Sequence, residues 1–118
     1  MIHMEEYRSR IEAAVQVLVA IPAHNEDRYI GSVVLKLRAA GYQVLVVDDG
    51  STDRTVDIAA AAGALIVQHI DNQGKAAAVR SAFEKARQLH VDALVLLDGD
   101  STKSSSCWAY PPKAQLDE

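Results

Sequence analysis

Four short apolar runs punctuate the chain, at residues 15–21 (VQVLVAI), 43–47 (QVLVV), 64–68 (ALIVQ) and 93–97 (ALVLL). Each is nearly continuous instead of alternating, the pattern of a strand buried on both faces. Pro22 is expected to stop the first run, since proline cannot donate to a central ladder. Between the runs the period changes. Over 27–40, Ile30, Val33, Val34 and Leu37 recur at helical spacing, Arg28, Ser32 and Lys36 occupy another face, and Gly41 is a natural stop. Ser51 and Thr52 can cap a helix over about 53–62 that Gly63 ends, and Asn72 can cap a long helix over about 74–89. A short helical lead-in is expected over residues 1–14.

Strands and helices in strict alternation predict an α/β fold with a mainly parallel sheet covered by helices, because parallel strands need crossover connections. Such sheets bind ligands at the carboxyl ends of their strands. The unusual polar residues sit at those ends: Pro22, His24, Asn25 and Glu26 after the first strand, Asp48 and Asp49 after the second, residues 71–75 after the third, Asp98 and Asp100 after the fourth. The pattern breaks after residue 101, where serine, proline and charge dominate, so 102–118 is expected to be an irregular tail and 15–101 the domain proper.

Composition narrows the partners. With 118 residues, 49% of them hydrophobic, the chain is large enough for one core and too small for two. A net charge of -4, with basic residues scattered among carboxylates, leaves no stripe for nucleic acid, and none is expected as a partner. Cys107 is the sole cysteine, which excludes an internal disulfide and fits a reducing compartment. The four histidines are dispersed, without the paired spacing of a structural zinc site. Glu5, Glu6, Arg8 and Arg10 stand where a leader would be apolar, and no apolar run reaches the roughly 18 residues of a membrane span. A cytoplasmic protein is expected, with any membrane contact peripheral.

The strand ends suggest chemistry. Asp98-Gly99-Asp100 sets two carboxylates beside one turn, a pairing that suits a hard divalent cation such as Mg2+ or Mn2+; it also reads as an ordinary acidic turn. An aspartate in Asp48-Asp49-Gly50-Ser51 can accept from a nucleobase imide or a ribose hydroxyl, or simply accompany a helix cap. Gly74-Lys75 opens a helix where backbone amides and a lysine can meet an anion, or where the lysine is merely solvated. It is not a Walker loop, since His69 stands at the upstream glycine position and Ala76 at the Ser/Thr position. A phosphoacceptor receiver domain would carry its acidic pair after the first strand, and no Gly-x-Gly-x-x-Gly supports dinucleotide binding.

Taken together, VAIPAHNE (19–26), VVDDGSTDRT (46–55), NQGKAAAVRSAF (72–83) and LLDGD (96–100) resemble the successive motifs of family 2 glycosyltransferases, most closely the dolichyl- and polyprenyl-phosphate mannosyl- and glucosyltransferases. The resemblance implies a GT-A, Rossmann-like fold truncated after the fourth strand, a UDP- or GDP-linked sugar donor, Mg2+ or Mn2+, and inverting transfer to an acceptor, a polyprenyl phosphate or a glycan. Position by position it implies that Pro22, His24 and Glu26 surround the nucleoside, with His24 where tyrosine is usual. It likewise implies that Asp49 contacts base or ribose and that Gly74 and Lys75 lie beside the nucleotide. Asp98 and Asp100 would be the DxD pair, with Asp100 the leading metal ligand.

The likeness ends at residue 101. Relatives continue with a Gln-His segment and an acceptor-binding half, whereas Ser101 leads here into TKSSS, and no catalytic base is identifiable. The expectation is a domain that binds a donor but transfers sugar weakly or not at all, with an uncovered sheet edge that favours self-association. The alternative from another class is a non-catalytic nucleotide- or nucleotide-sugar-binding module. A sugar nucleotidyltransferase is disfavoured, because PAHNEDR is not the glycine-rich basic loop such an enzyme carries after its first strand.

Overall fold

The computed structural model describes residues 16–97 together with the backbone strand Cys107–Tyr110. Its elements follow the expected alternation: β1 (Val17–Ala23), α1 (Ile30–Ala39), β2 (Gln43–Asp49), α2 (Thr55–Ala61), β3 (Leu65–His69), α3 (Lys75–Gln88), β4 (Ala93–Leu97) and β5 (Cys107–Tyr110). The sheet order is β3-β2-β1-β4-β5; β1 to β4 are parallel and β5 runs antiparallel to β4. The lead-in expected over 1–14 and the pair Asp98 and Asp100 lie outside the described residues. Among the described residues, no helix is long and apolar enough to cross a membrane.

Strand alternation divides the core into two layers. On one face Leu18, Ala20, Leu45, Val47 and Leu94 meet Ala78, Ala82 and Ala86 of α3, whose small side chains at every fourth position let the helix lie close to the sheet. On the other, Ile21, Val44 and Val46 meet Ile30 and Val34 of α1 and Ala59 of α2. Each fully buried Leu, Val or Ile contributes about 1.5–3 kcal/mol relative to exposure, so these layers hold the strand ends in place.

Four local expectations are corrected. β1 continues through Pro22, which pairs with Val47, because the register with β4 ends at Ala20–Leu96 and a missing N–H beyond that point interrupts no β4 ladder. Ser51 and Thr52 do not cap α2. The Thr55 amide instead donates to Asp53 Oδ1 at 2.9 Å, while Ser51 Oγ accepts from the amide of Asn25 in the neighbouring loop at 2.8 Å. Asn72 Oδ1 accepts from Gly74 N at 3.1 Å and so closes the turn before α3, making no bond to its first turn. Cys107–Tyr110, within the segment expected to be irregular, is a strand paired with β4 in the register Leu97–Cys107. Trp108 and Tyr110, two apart, favour a strand, but the serines and prolines on either side hide so short a run, and pairing with β4 defines it.

Candidate functional site

The chain winds from β1 through β2 to β3 in one direction and then crosses to place β4 on the other side of β1. That reversal makes the crevice outside the carboxyl ends of the strands the natural ligand position. A cleft of about 250 Å3 lies there, lined by Pro22, Ala23, His24 and Glu26 after β1, Asp49 at the end of β2, and Asn72, Gly74, Lys75 and Ala78 around the start of α3. Six of the residues singled out in the sequence, Pro22, His24, Glu26, Asp49, Gly74 and Lys75, are therefore brought together on one cleft.

Alternation separates the two adjacent aspartates. Asp48 shares the face of Val44 and Val46, is fully buried, and accepts from Ser51 N at 3.1 Å through Oδ2; its Oδ1 has no partner among the described residues. Asp49 shares the face of Leu45 and Val47 and reaches the cleft. Its Oδ1 accepts from His69 Nδ1 at 2.9 Å and Gln73 N at 2.8 Å, and its Oδ2 from Gly74 N at 2.9 Å. Burial by itself raises the Asp49 carboxyl pKa, but the hydrogen bond from His69 and those from Gln73 and Gly74 together outweigh it and hold the group below the usual carboxylate range. A carboxylate has about four lone-pair directions. Three are taken by His69, Gln73 and Gly74, which among the described residues leaves one on Oδ2, the oxygen shared with Gly74.

Gly74 has φ +96° and ψ 166°, a region essentially restricted to glycine, and this conformation turns the chain from the Asp49-bound loop into α3. The first α3 amides precede the helix ladder, whose first bond is Ala78 N to Gly74 O, so their partial positive charge lies at the rim beside Lys75. Gly50 is equally constrained: with φ +76°, a Cβ there would lie 2.5 Å from Asp71 C and Asn72 N, so the β2–α2 turn and the β3–α3 loop pack backbone to backbone.

The opposite wall is made by two loops hydrogen-bonded to each other. Besides the Asn25–Ser51 bond, Glu26 N donates to Thr55 Oγ1 at 2.9 Å, Asp27 N to Asp53 Oδ2 at 3.2 Å and Thr52 N to Asn25 Oδ1 at 2.8 Å. Burial raises the Asp53 carboxyl, yet its bonds from Thr55 and Asp27 outweigh that and leave it lowered. His24 Nδ1 donates to the carbonyl of Asp49 at 2.8 Å, which fixes the tautomer and frees Nε2 to accept from Asn25 Nδ2 at 3.3 Å.

Sequence reasoning missed His69 and Ser81; Asn25, Asn72 and Gln73 were placed at the strand ends but given no part in holding the site. The parallel register pairs Asp49 with His69 and so sets both side chains on one face. Among the described residues, no group of three or more His, Cys, Asp or Glu is placed to hold a metal ion; Asp98 and Asp100 follow β4 in the sequence.

The profile described as Glycosyl transferase family 2 matches residues 18–109, which spans β1 to β5. The chain belongs to glycosyl transferase family 2. It is 40% identical over 89 residues to Glycosyltransferase AglJ of Haloferax volcanii, covering 73% of this chain and 28% of that protein. Identity is 30% over 104 residues to the undecaprenyl-phosphate 4-deoxy-4-formamido-L-arabinose transferase of Serratia proteamaculans, covering 78% and 31%. A solved structure of glucosyl-3-phosphoglycerate synthase from Mycobacterium tuberculosis, in complex with Mn2+, UDP-glucose and phosphoglyceric acid, superposes with a TM-score of 0.63 at 26% identity, over 85% of this chain and 38% of that one. The chain spans about a third of the length of these similar proteins. With the match, the alternating parallel sheet is the family's GT-A fold.

Proposed function

We propose that the cleft binds a nucleoside diphosphate sugar, UDP- or GDP-linked, for transfer of its sugar to a polyprenyl phosphate held by residues beyond this cleft. The observation that carries the reading is the convergence of Asp49, Gly74 and Lys75 at the topological switch point. Asp49 keeps one acceptor direction for a base imide or ribose hydroxyl, while the α3 amides and Lys75 offer positive potential to a diphosphate. Pro22 and the fixed His24 ring supply a flat wall for the nucleoside. A cleft of about 250 Å3 is at the lower edge of ligand-pocket sizes, roughly 300–1,000 Å3, and fits the nucleoside portion.

The similar proteins supply chemical precedent: one is named for transfer to undecaprenyl phosphate, and another was solved with Mn2+ and UDP-glucose. In this reading Asp98 and Asp100 would hold Mg2+ or Mn2+, which neutralises a departing diphosphate. Work on a lipid phosphate would set the protein at the cytoplasmic face of the membrane by peripheral contact. β3 and β5 are the two edges of the sheet among the described residues, and copies would associate through an exposed edge; a monomer by light scattering at high concentration contradicts that part.

Calorimetric titration with UDP and GDP, with and without Mn2+, tests the proposal. The expected outcome is metal-dependent binding of one nucleotide, weakened about tenfold or more by Asp100→Ala through loss of a charged ligand. A folded chain that binds neither nucleotide contradicts it.

A further inference from the structure

A chain of side chains runs away from the cleft. Asp49 Oδ1 meets His69 Nδ1 at 2.9 Å, and His69 Nε2 meets Ser81 Oγ of α3 at 2.8 Å. The histidine and aspartate side chains are each only 9% exposed. Because the carboxylate accepts, Nδ1 carries the hydrogen, and a singly protonated ring then receives the Ser81 hydroxyl proton at Nε2. The order Asp-His-Ser is that of a hydrolytic triad, but Ser81 lies inside α3, whose amides are consumed by the helix ladder. No backbone donors remain beside it for an oxyanion, so the arrangement orients and does not attack.

We propose that His69 is a positioning residue for Asp49, and that Ser81 anchors the ring from α3. The imidazole holds Oδ1 together with Gln73 N. This leaves Oδ2 toward Gly74, where one acceptor direction faces the cleft-lining segment. Without the ring the carboxylate can rotate about its last torsion, and the Gln73 and Gly74 amides compete for the oxygen that a nucleotide would use. The consequence for nucleotide affinity rests on the donor-binding reading above; the geometry itself can be tested without any nucleotide.

The test compares His69→Ala, His69→Asn and Ser81→Ala, alone and in an Asp49→Asn background. The readouts are solvent exchange of the Gln73 and Gly74 amides by NMR without nucleotide, and affinity for UDP and GDP with Mg2+. His69→Ala is expected to accelerate both amides about tenfold and weaken nucleotide binding about tenfold, the scale of one charge-assisted hydrogen bond. The asparagine amide nitrogen can stand where Nδ1 stands, so His69→Asn restores both readouts to within about threefold, and Ser81→Ala costs about threefold. In the Asp49→Asn background, His69→Ala adds less than about twofold, because a residue that acts through Asp49 has nothing left to act on.

Equal losses in both backgrounds, unchanged amide exchange in His69→Ala, or an asparagine variant as damaged as the alanine variant would overturn the proposal. If His69→Ala fails to fold, His69→Asn and Ser81→Ala carry the same test through the same readouts. If the unsubstituted chain binds neither nucleotide, the donor-binding reading fails, while the amide exchange still decides whether His69 positions Asp49.

Discussion

The two walls of the cleft are built on different principles. On one side, residues 24–29 and 50–55 are laced by four cross-loop hydrogen bonds of 2.8–3.2 Å, spread over Asn25, Glu26, Asp27 and Thr52. On the other, residues 70–74 reach the sheet through Asp49, whose carboxylate takes the amides of both Gln73 and Gly74, while Ile70 in the same loop is 100% exposed. The first wall distributes its attachment, so no single bond decides its position. The second concentrates attachment in a residue that is also the best candidate for touching ligand. On the donor-binding proposal, occupancy of the site and order of that loop would be coupled through Asp49, whereas the laced wall is held by bonds that do not involve that carboxylate.

The sharpest way to break this contrast is Asp49→Ala, which strands the Gln73 amide and a nearly buried histidine and leaves Gly74 N to Asn72 Oδ1 alone. A loss of about 3 kcal/mol is expected from urea denaturation, together with disorder of residues 70–74 in NMR relaxation. Gly50→Ala attacks the backbone contact between the walls. With φ +76° and a Cβ 2.5 Å from Asp71 C, a loss of about 2 kcal/mol is expected, with shifted amide resonances at Asp71 and Asn72. Asn25→Ala probes the laced wall and is expected to cost about 1 kcal/mol, leaving the Glu26 and Asp27 bonds in place by their unchanged amide shifts. An Asn25→Ala loss as large as that of Asp49→Ala would contradict the distributed picture.

Acid is the gentlest probe. Asp49 and Asp53 both have lowered carboxyl pKa values in the folded chain, so the unfolded chain takes up these protons first. The stability they contribute is fully present above the ordinary aspartate value of about 3.9 and is lost as pH falls through the folded values. Urea midpoints are expected to fall below about pH 4, with a shallower fall in Asp49→Asn.

The strands and their order along the chain were legible because they are apolar on both faces, and the cleft-lining residues because polar side chains cluster at strand ends. The cap expectations at Ser51 and Asn72 fail for different reasons: Ser51 bonds Asn25, a partner 26 positions away in sequence, whereas Asn72 closes a local turn onto Gly74 ahead of the helix. His69 and Ser81 needed two facts that local patterns do not hold: the β2–β3 register and the rotational phase of α3 against the sheet. Pro22 as a strand residue and β5 as a strand likewise depend on what lies alongside them.

The central claim is that the cleft between these two walls is a nucleotide site organised by Asp49. The most direct test is an amide-resolved NMR titration of the chain with UDP and with GDP in the presence of Mg2+. The account predicts saturable shifts for one nucleotide at Ala23, His24, Gln73, Gly74 and Lys75, with the C-terminal turn of α3 unmoved. Shifts absent from these amides, or concentrated away from the carboxyl ends of the strands, would contradict it.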